Sequence, residues 1–359
     1  MQRRKLIRPI FFQDFFLATA KIFYRRFPAG RWRKLRLIAV DGTGCRLPDE
    51  SWLGETYGWH QNQHSQVPST RWLVQFDLLN QIIINVHLHS RHQGEITVAT
   101  PLIKDYAADA LVIYDRGFGS YAIPYLHQLY GSNCIIRLQR SFNPEVIDFI
   151  QSNENERIVT ANMSERAVRS LRKSGHKVSR KDRITYRLIR VDLPSGEVEV
   201  LLTTLLHRQY YHHKHFQQLY AERWGVETAI FVLKSYFQAA SFSSYTLPAV
   251  EQEIWAMFAV YNLQSMLIFA QHKTLQTITQ KRKYRYQINR NVTIGLIKRY
   301  LPATFLDSTK LWYAKLKVLL KEMLRHLEPI RPRPGRVRNR RIMRATERHI
   351  YEPNYKPTL

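Results

Sequence analysis

The sequence predicts an α/β fold, a mixed sheet with helices on its faces. Three observations carry that expectation. Two short apolar runs, LRLIAV at 35–40 and LVIYD at 111–115, each lead to an aspartate. Between them, RWLVQFDLL and IIINVHLHS read as two strands joined by a turn around Asn80 and Gln81, an antiparallel hairpin. Stretches of helical spacing lie between and after these runs. A chain of 359 residues is long enough for one large domain with an insertion, or for two domains.

From the amino terminus, FFQDFFLATAKIFYRRF has helical spacing and aromatic weight. The run 35–40 then reads as a buried strand ending at Asp41. After the hairpin, a helical stretch is expected at about 95–108, followed by a second buried strand ending at Asp115. Gly117 and Gly119 mark a turn, a helix runs to about Tyr130, and CIIRLQR is a strand. From about 141 to 204 polar, basic residues surround a second hairpin, ITYRLIRVDLPSGEVEVLLTTL, whose turn is PSG. A long helix follows around YAERWGVETAIFVLK, 220–234, and an apolar one at about 248–270.

Charge narrows the partners. Against 28 Asp+Glu stand 55 Lys+Arg, a net charge of +27 with a sequence pI near 10.2. Residues 1–36 alone hold eleven Lys/Arg and one acid, Asp14. Such an excess favours a polyanion, nucleic acid before an anionic membrane. Cys45 and Cys134 are the only cysteines, which excludes a disulfide framework and a Cys-rich zinc site. The amino terminus lacks the apolar run and cleavage site of a signal peptide. The apolar run 254–270 is broken by Asn262, Gln264 and Ser265 and reads as a buried helix, so a soluble, cytoplasmic protein is expected.

The helix at 220–234 raises the chemical question. At roughly 100° per residue, Tyr220, Arg223, Glu227 and Lys234 share one side. Leu219, Val226, Ile230, Leu233 and Phe237 form an apolar stripe beside them. Asp41 and Asp115, each at the end of a buried strand, are carboxylates close to a core, and a bound cation is the natural compensation. With Glu227 they make an all-oxygen set suited to Mg²⁺. Arg223 and Lys234 would hold phosphates nearby, and Tyr220 would donate to one or stack on a base. The bland alternatives are turn or cap aspartates and a solvated helix face with Glu227 paired to Arg223 at i,i+4.

The spacing of Tyr220, Arg223, Glu227 and Lys234 resembles the YREK signature of cut-and-paste DDE transposases of bacterial insertion sequences. AVDGTGCRLPD around Asp41 is similar to that family's first-aspartate motif, and YDRGFGSY around Asp115 to its second. The resemblance covers about 11–272 and the basic NYKPT near the carboxyl terminus. It implies a ribonuclease H-like mixed sheet flanked by helices, with a catalytic core at 35–140 and 205–272 interrupted by a mostly β insertion at 141–204. A basic remnant of an amino-terminal DNA-binding region would occupy 1–34, and a basic, helical and extended carboxy-terminal region 273–359. The resemblance further implies that Asp41, Asp115 and Glu227 are catalytic and bind two Mg²⁺ ions, with Mn²⁺ as a substitute. Tyr220, Arg223 and Lys234 would contact DNA, and Arg116 would touch DNA or brace Asp115. Terminal inverted repeats and target DNA are the expected partners, handled by a homodimer in the synaptic complex, with no membrane and with a nucleoid-associated location in a bacterial cytoplasm. Members of this family usually carry a longer region before the first aspartate, so either a truncated copy or a mis-assigned start is expected. A non-catalytic DNA-binding relic or repressor, and a stand-alone nuclease of the same fold, are the alternatives.

Other motifs carry less. His87, His89 and His92, and YYHHKH at 210–215, invite a zinc reading, but no second ligand pair completes either group. Gly117 and Gly119 lack the Lys-Ser/Thr of a nucleotide loop. KRKYRYQINR, 281–290, interleaves cations with aromatics and suits either DNA contact or a solvated basic helix. Seven Arg between 331 and 344 predict a non-specific phosphate binder.

Overall fold

A computed structural model of the chain describes residues 2–330 except 62, 64, 194, 307 and 308. The arginine-rich stretch 331–344 and the NYKPT motif lie outside the described residues.

Helix α1 (Pro9–Arg26) precedes β1 (Arg36–Arg46), a short helix α2 (Ser51–Tyr57), β2 (Trp59–Gln61), β3 (Gln66–Asp77) and β4 (Ile82–Ser90). Then come α3 (Glu95–Ala99), a 3₁₀ turn, β5 (Ala110–Tyr114), α4 (Ala122–Tyr130) and β6 (Asn133–Arg137). The sheet order β4-β3-β1-β5-β6 has β3 and β4 antiparallel to their neighbours and β5 and β6 parallel to β1. That order and polarity are those of a ribonuclease H-like sheet.

Residues 141–204 hold α5 (Pro144–Gln151), β7 (Glu156–Asn162), α6 (Glu165–Lys173), β8 (Arg183–Asp192) and β9 (Val198–Thr203). Strand β9 pairs antiparallel with β6, so this segment extends the central sheet to nine strands. Helices α7 (Phe216–Ala221), α8 (Trp224–Ser235), α9 (Leu247–Ala270) and α10 (His272–Thr279) follow. The last described elements are β10 (Tyr286–Ile288), α11 (Arg290–Leu306), α12 (Thr309–Met323) and β11 (Leu327–Pro329). The stretch 281–290 is therefore a turn entering a strand and then a helix start. Arg282 stacks over Tyr286 at 4.5 Å, so that cation and aromatic partly satisfy each other.

Strand alternation sorts the core. Leu37 and Ala39 face a cluster shared with α8 and α9, including Val226, Leu233 and Phe258. Ile38 and Val40 face the opposite cluster with Leu73, Ile103, Leu126 and Ile136. Burying each such side chain contributes about 1.5–3 kcal/mol.

Helix α9 is the one described helix long and apolar enough to cross a membrane, and 56% of its most apolar window is buried inside the fold. The three residues that interrupt its apolar run explain how it is held. Asn262 accepts from Ile83 N at 2.9 Å and donates to Ile83 O and Thr19 Oγ1, both at 2.9 Å, tying α9 to β4 and α1. Gln264 donates to Arg290 O at 2.7 Å, and Arg290 donates to Gln264 and Ser265.

Candidate active site

Two sequence expectations are corrected by the backbone. Asp41 does not end its strand, because β1 continues to Arg46 on its pairing with β3. What ends there is the parallel pairing with β5, whose last partners are Val40 and Tyr114. Asp41 and Asp115 are the next residues of the two strands, so adjacent parallel strands, about 4.8 Å apart, deliver both carboxylates to one edge. The second correction concerns the motif helix. It is two segments, since Glu222 and Arg223 keep helical dihedrals but tighten into i→i−3 hydrogen bonds, Arg223 N to Tyr220 O and Val226 N to Arg223 O. Phe237 lies beyond the end of α8.

Helix α8 packs on the Asp41 face of β1 and brings Arg223 and Glu227 to it. Arg223 donates from Nη2 to Glu227 Oε1 at 2.6 Å, while its Nη1 stands 4.0 Å from Asp41 Oδ2. The Arg223 side chain is 9% exposed and its buried Nε has no hydrogen-bond partner among the described residues. Its guanidinium lies over Tyr220 at 5.8 Å and Trp224 at 5.4 Å. Asp41 Oδ1 accepts from Gly42 N at 2.9 Å, and Asp115 Oδ1 from Gly117 N at 2.8 Å. Asp115 thus also serves as the cap of the turn that Gly117 and Gly119 mark. Burial raises the Asp41 carboxyl to about 6, with the Asp115 and Glu227 charges adding to the rise and Arg223 opposing it.

The remaining predicted residues fall around this centre. Tyr220 is buried, and burial raises its phenol against the pull of Arg223 and Arg137. Lys234 is exposed at the far end of α8, where partial burial of its ammonium group pulls it down and the nearby Cys45 and Asp41 oppose the fall. Arg116 is exposed on the turn after Asp115.

Sequence reasoning missed two neighbours. Arg137, at the end of β6, pairs with Glu199 at 2.6 Å beside Tyr220. Glu95, the first residue of α3, lies against Gly42 on the opposite face of β1 from Asp41, and its charge reaches Asp115. Only the helix-start position of Glu95 could have flagged it, and that signal is common to ordinary caps.

The expected metal cage is not closed. Among the described residues no three His, Cys, Asp or Glu side chains are gathered so as to hold a metal ion, which applies to the histidine groups as well. At the carboxylates, the Arg223 guanidinium occupies Glu227 and faces Asp41. The donor chemistry nonetheless suits Mg²⁺: all three groups are carboxylates, and the charges of Asp115 and Glu227 both reach Asp41, adding to the rise that burial causes.

The family model described as the transposase DDE domain matches residues 32–263. The transposase InsG for insertion sequence element IS4 of Escherichia coli (strain K12) is 24% identical over 265 residues, 72% of this chain. The match spans 58% of that relative's length. Among solved structures, the piggyBac transposase synaptic complex with hairpin DNA covers 83% of this chain and 54% of its own, at 10% identity and a TM-score of 0.43.

Proposed function

The chain belongs to the transposase DDE domain family, and on that premise we propose that it cleaves DNA at the ends of an insertion sequence and joins them to target DNA by a cut-and-paste route. The observation that carries this reading is the register of β1 on β5, which sets Asp41 and Asp115 side by side at the end of their pairing, with Glu227 linked to Asp41 through Arg223. Tyr220, Arg223, Glu227 and Lys234 then act as a YREK signature. The whole reaction, its terminal inverted repeats, its target and a homodimeric synaptic complex are part of the proposal. So is the division into a catalytic core at 35–140 and 205–272, an insertion at 141–204, and basic regions on either side.

Asp41, Asp115 and Glu227 would hold Mg²⁺, or Mn²⁺ in its place, once the Arg223 guanidinium is drawn aside. When bound, such ions would supply activation of the attacking oxygen and stabilisation of the leaving one. The arriving DNA phosphate is the group that draws Arg223. Its unpartnered Nε and its fork match a phosphate's oxygens, and the move releases Glu227. Tyr220 would donate to a phosphate oxygen, and Lys234 would supply a point charge at the mouth of the site.

A non-catalytic DNA-binding protein is the second reading, favoured by the Arg223–Glu227 pair that fills the place of a metal. Incubation with linear DNA carrying the element's inverted repeats and Mg²⁺ decides between them. Strand-joined products support the transposase. Binding without nicking supports the repressor, and nicking without joining supports a nuclease.

A further inference from the structure

Beyond Asp41, β1 runs on as Gly42, Thr43, Gly44, Cys45 and Arg46. Thr43 and Cys45 share the Asp41 face, and Cys45 is buried in the α8-side core. Gly42 and Gly44 leave the opposite face of the strand bare. Register fills in what surrounds that bare face: Gly44 pairs with Arg71 of β3, and Arg71 with His89 of β4, so both side chains share it. Arg91 reaches the same place, its Nη1 lying 3.8 Å from where a Gly44 Cβ would stand. At Gly42 a Cβ would collide with the Glu95 carboxylate. The result is a short polar trough with two arginines, one histidine and one carboxylate.

Its charges do not cancel. Glu95 stands 3.8 Å from Arg71, and among the described residues no carboxylate pairs with Arg91. Burial and then the Arg71 charge pull Arg91 down, and Arg71 acts on His89 in the same sense. His89 is 6% exposed. Its Nδ1 donates to Ser90 O at 3.1 Å, while the buried Nε2 has no partner among the described residues. A cation pair held together against its own repulsion, with an unsatisfied buried imidazole beside it, is what an anion would relieve.

We infer that this trough is a second phosphate-binding site, taking a backbone phosphate of the bound DNA on the face of β1 opposite Asp41, with Arg71 and Arg91 as its ligands. Gly44 serves it by letting the phosphate approach the strand backbone, while the space over Gly42 is taken by the Glu95 carboxylate. Negative charge would also let His89 Nε2 take up a proton and donate to the same group. The inference rests on the DNA-processing reading for its ligand, but its test reads binding and not cleavage.

The test measures binding of a random-sequence duplex of about 30 base pairs by fluorescence anisotropy across a salt series. Gly44→Val blocks the trough without changing charge, and a β-branched residue suits a strand. Arg91→Gln removes one ligand, and Arg169→Gln is the control, since Arg169 sits exposed on α6 paired with Glu165. Each variant is first checked for the wild-type thermal melt, with Gly44→Ala replacing Gly44→Val if the latter unfolds. Both trough variants are expected to bind about tenfold more weakly than wild type. Arg91→Gln should also flatten the salt slope by about one, and the control should change little. The trough is rejected if Gly44→Val binds as wild type does, or if Arg91→Gln is no worse than the control. If the variants lose binding while the wild-type protein never cuts DNA, the trough stands and the transposase reading fails. Unchanged binding beside wild-type cleavage gives the reverse.

Discussion

Arg223 and Glu227 form the internal ion pair of this site, Nη2 to Oε1 at 2.6 Å across one helical turn. The pair neutralises the carboxylate that the proposed chemistry most needs. Metal binding and DNA binding are then linked through one side chain, because a phosphate that recruits Arg223 frees Glu227.

Arg223→Gln should therefore separate two properties. Without DNA, the variant's carboxylates lose their counter-ion and are expected to bind Mn²⁺ more tightly, by about tenfold, in an electron paramagnetic resonance titration. DNA should strengthen Mn²⁺ binding in the wild-type protein and have little effect in the variant. Equal Mn²⁺ affinity in both proteins without DNA would contradict the exchange.

Asp41 makes stability depend on pH in a definite sense. Its carboxyl is raised from 3.8 to about 6 in the folded protein, so the fold binds an extra proton between those values. The stability of the protonated form is present below that window and is lost as pH rises through about 6. Asp41→Asn, which keeps the shape without the charge, should be more stable than wild type by ~1–3 kcal/mol at pH near 8. Most of that gain should vanish by pH near 4. Denaturant unfolding at the two pH values measures it, and an equal difference at both would remove the assigned cause.

Asp41→Ala and Glu227→Ala are expected to abolish Mg²⁺-dependent DNA cleavage while retaining most duplex binding. The +27 charge that carries affinity is spread over the chain and does not depend on these residues. Retained cleavage in either variant would take the proposed role from that residue.

Asn262→Ala tests the tether between α9, β4 and α1. It strips partners from Ile83 N, Ile83 O and Thr19 Oγ1. A loss of about 2–4 kcal/mol in urea unfolding is expected. A cost below about 1 kcal/mol would mean that water replaces the side chain without strain.

The sheet was legible because its strands are bounded by turn residues and are either continuously apolar, as at 111–115, or interleave apolar with polar residues, as in the hairpin at 183–203. The continuation of β1 past Asp41 was not, since Gly42 and Gly44 interrupt the strand signal. It is fixed instead by five register pairs with β3, from Gly42 to Arg46. Periodicity placed Tyr220, Arg223 and Glu227 on one side but could not show the tightened turn at 222–223 that re-aims Arg223. Whether the Arg223–Glu227 pair is a bland surface contact or the counter-ion of a buried aspartate depends on tertiary packing against β1, which no local spacing encodes. Glu95 and Arg71 were invisible for the same reason, being brought together only by the packing of α3 on β3.

The most direct measurement is anomalous scattering from Mn²⁺ in crystals of the protein with a short duplex. The expected result is a Mn²⁺ peak shared by the carboxylates of Asp41 and Asp115, with the Arg223 guanidinium withdrawn from Glu227 onto a DNA phosphate. Mn²⁺ bound only elsewhere, with Arg223 still on Glu227 while DNA is in place, would contradict it.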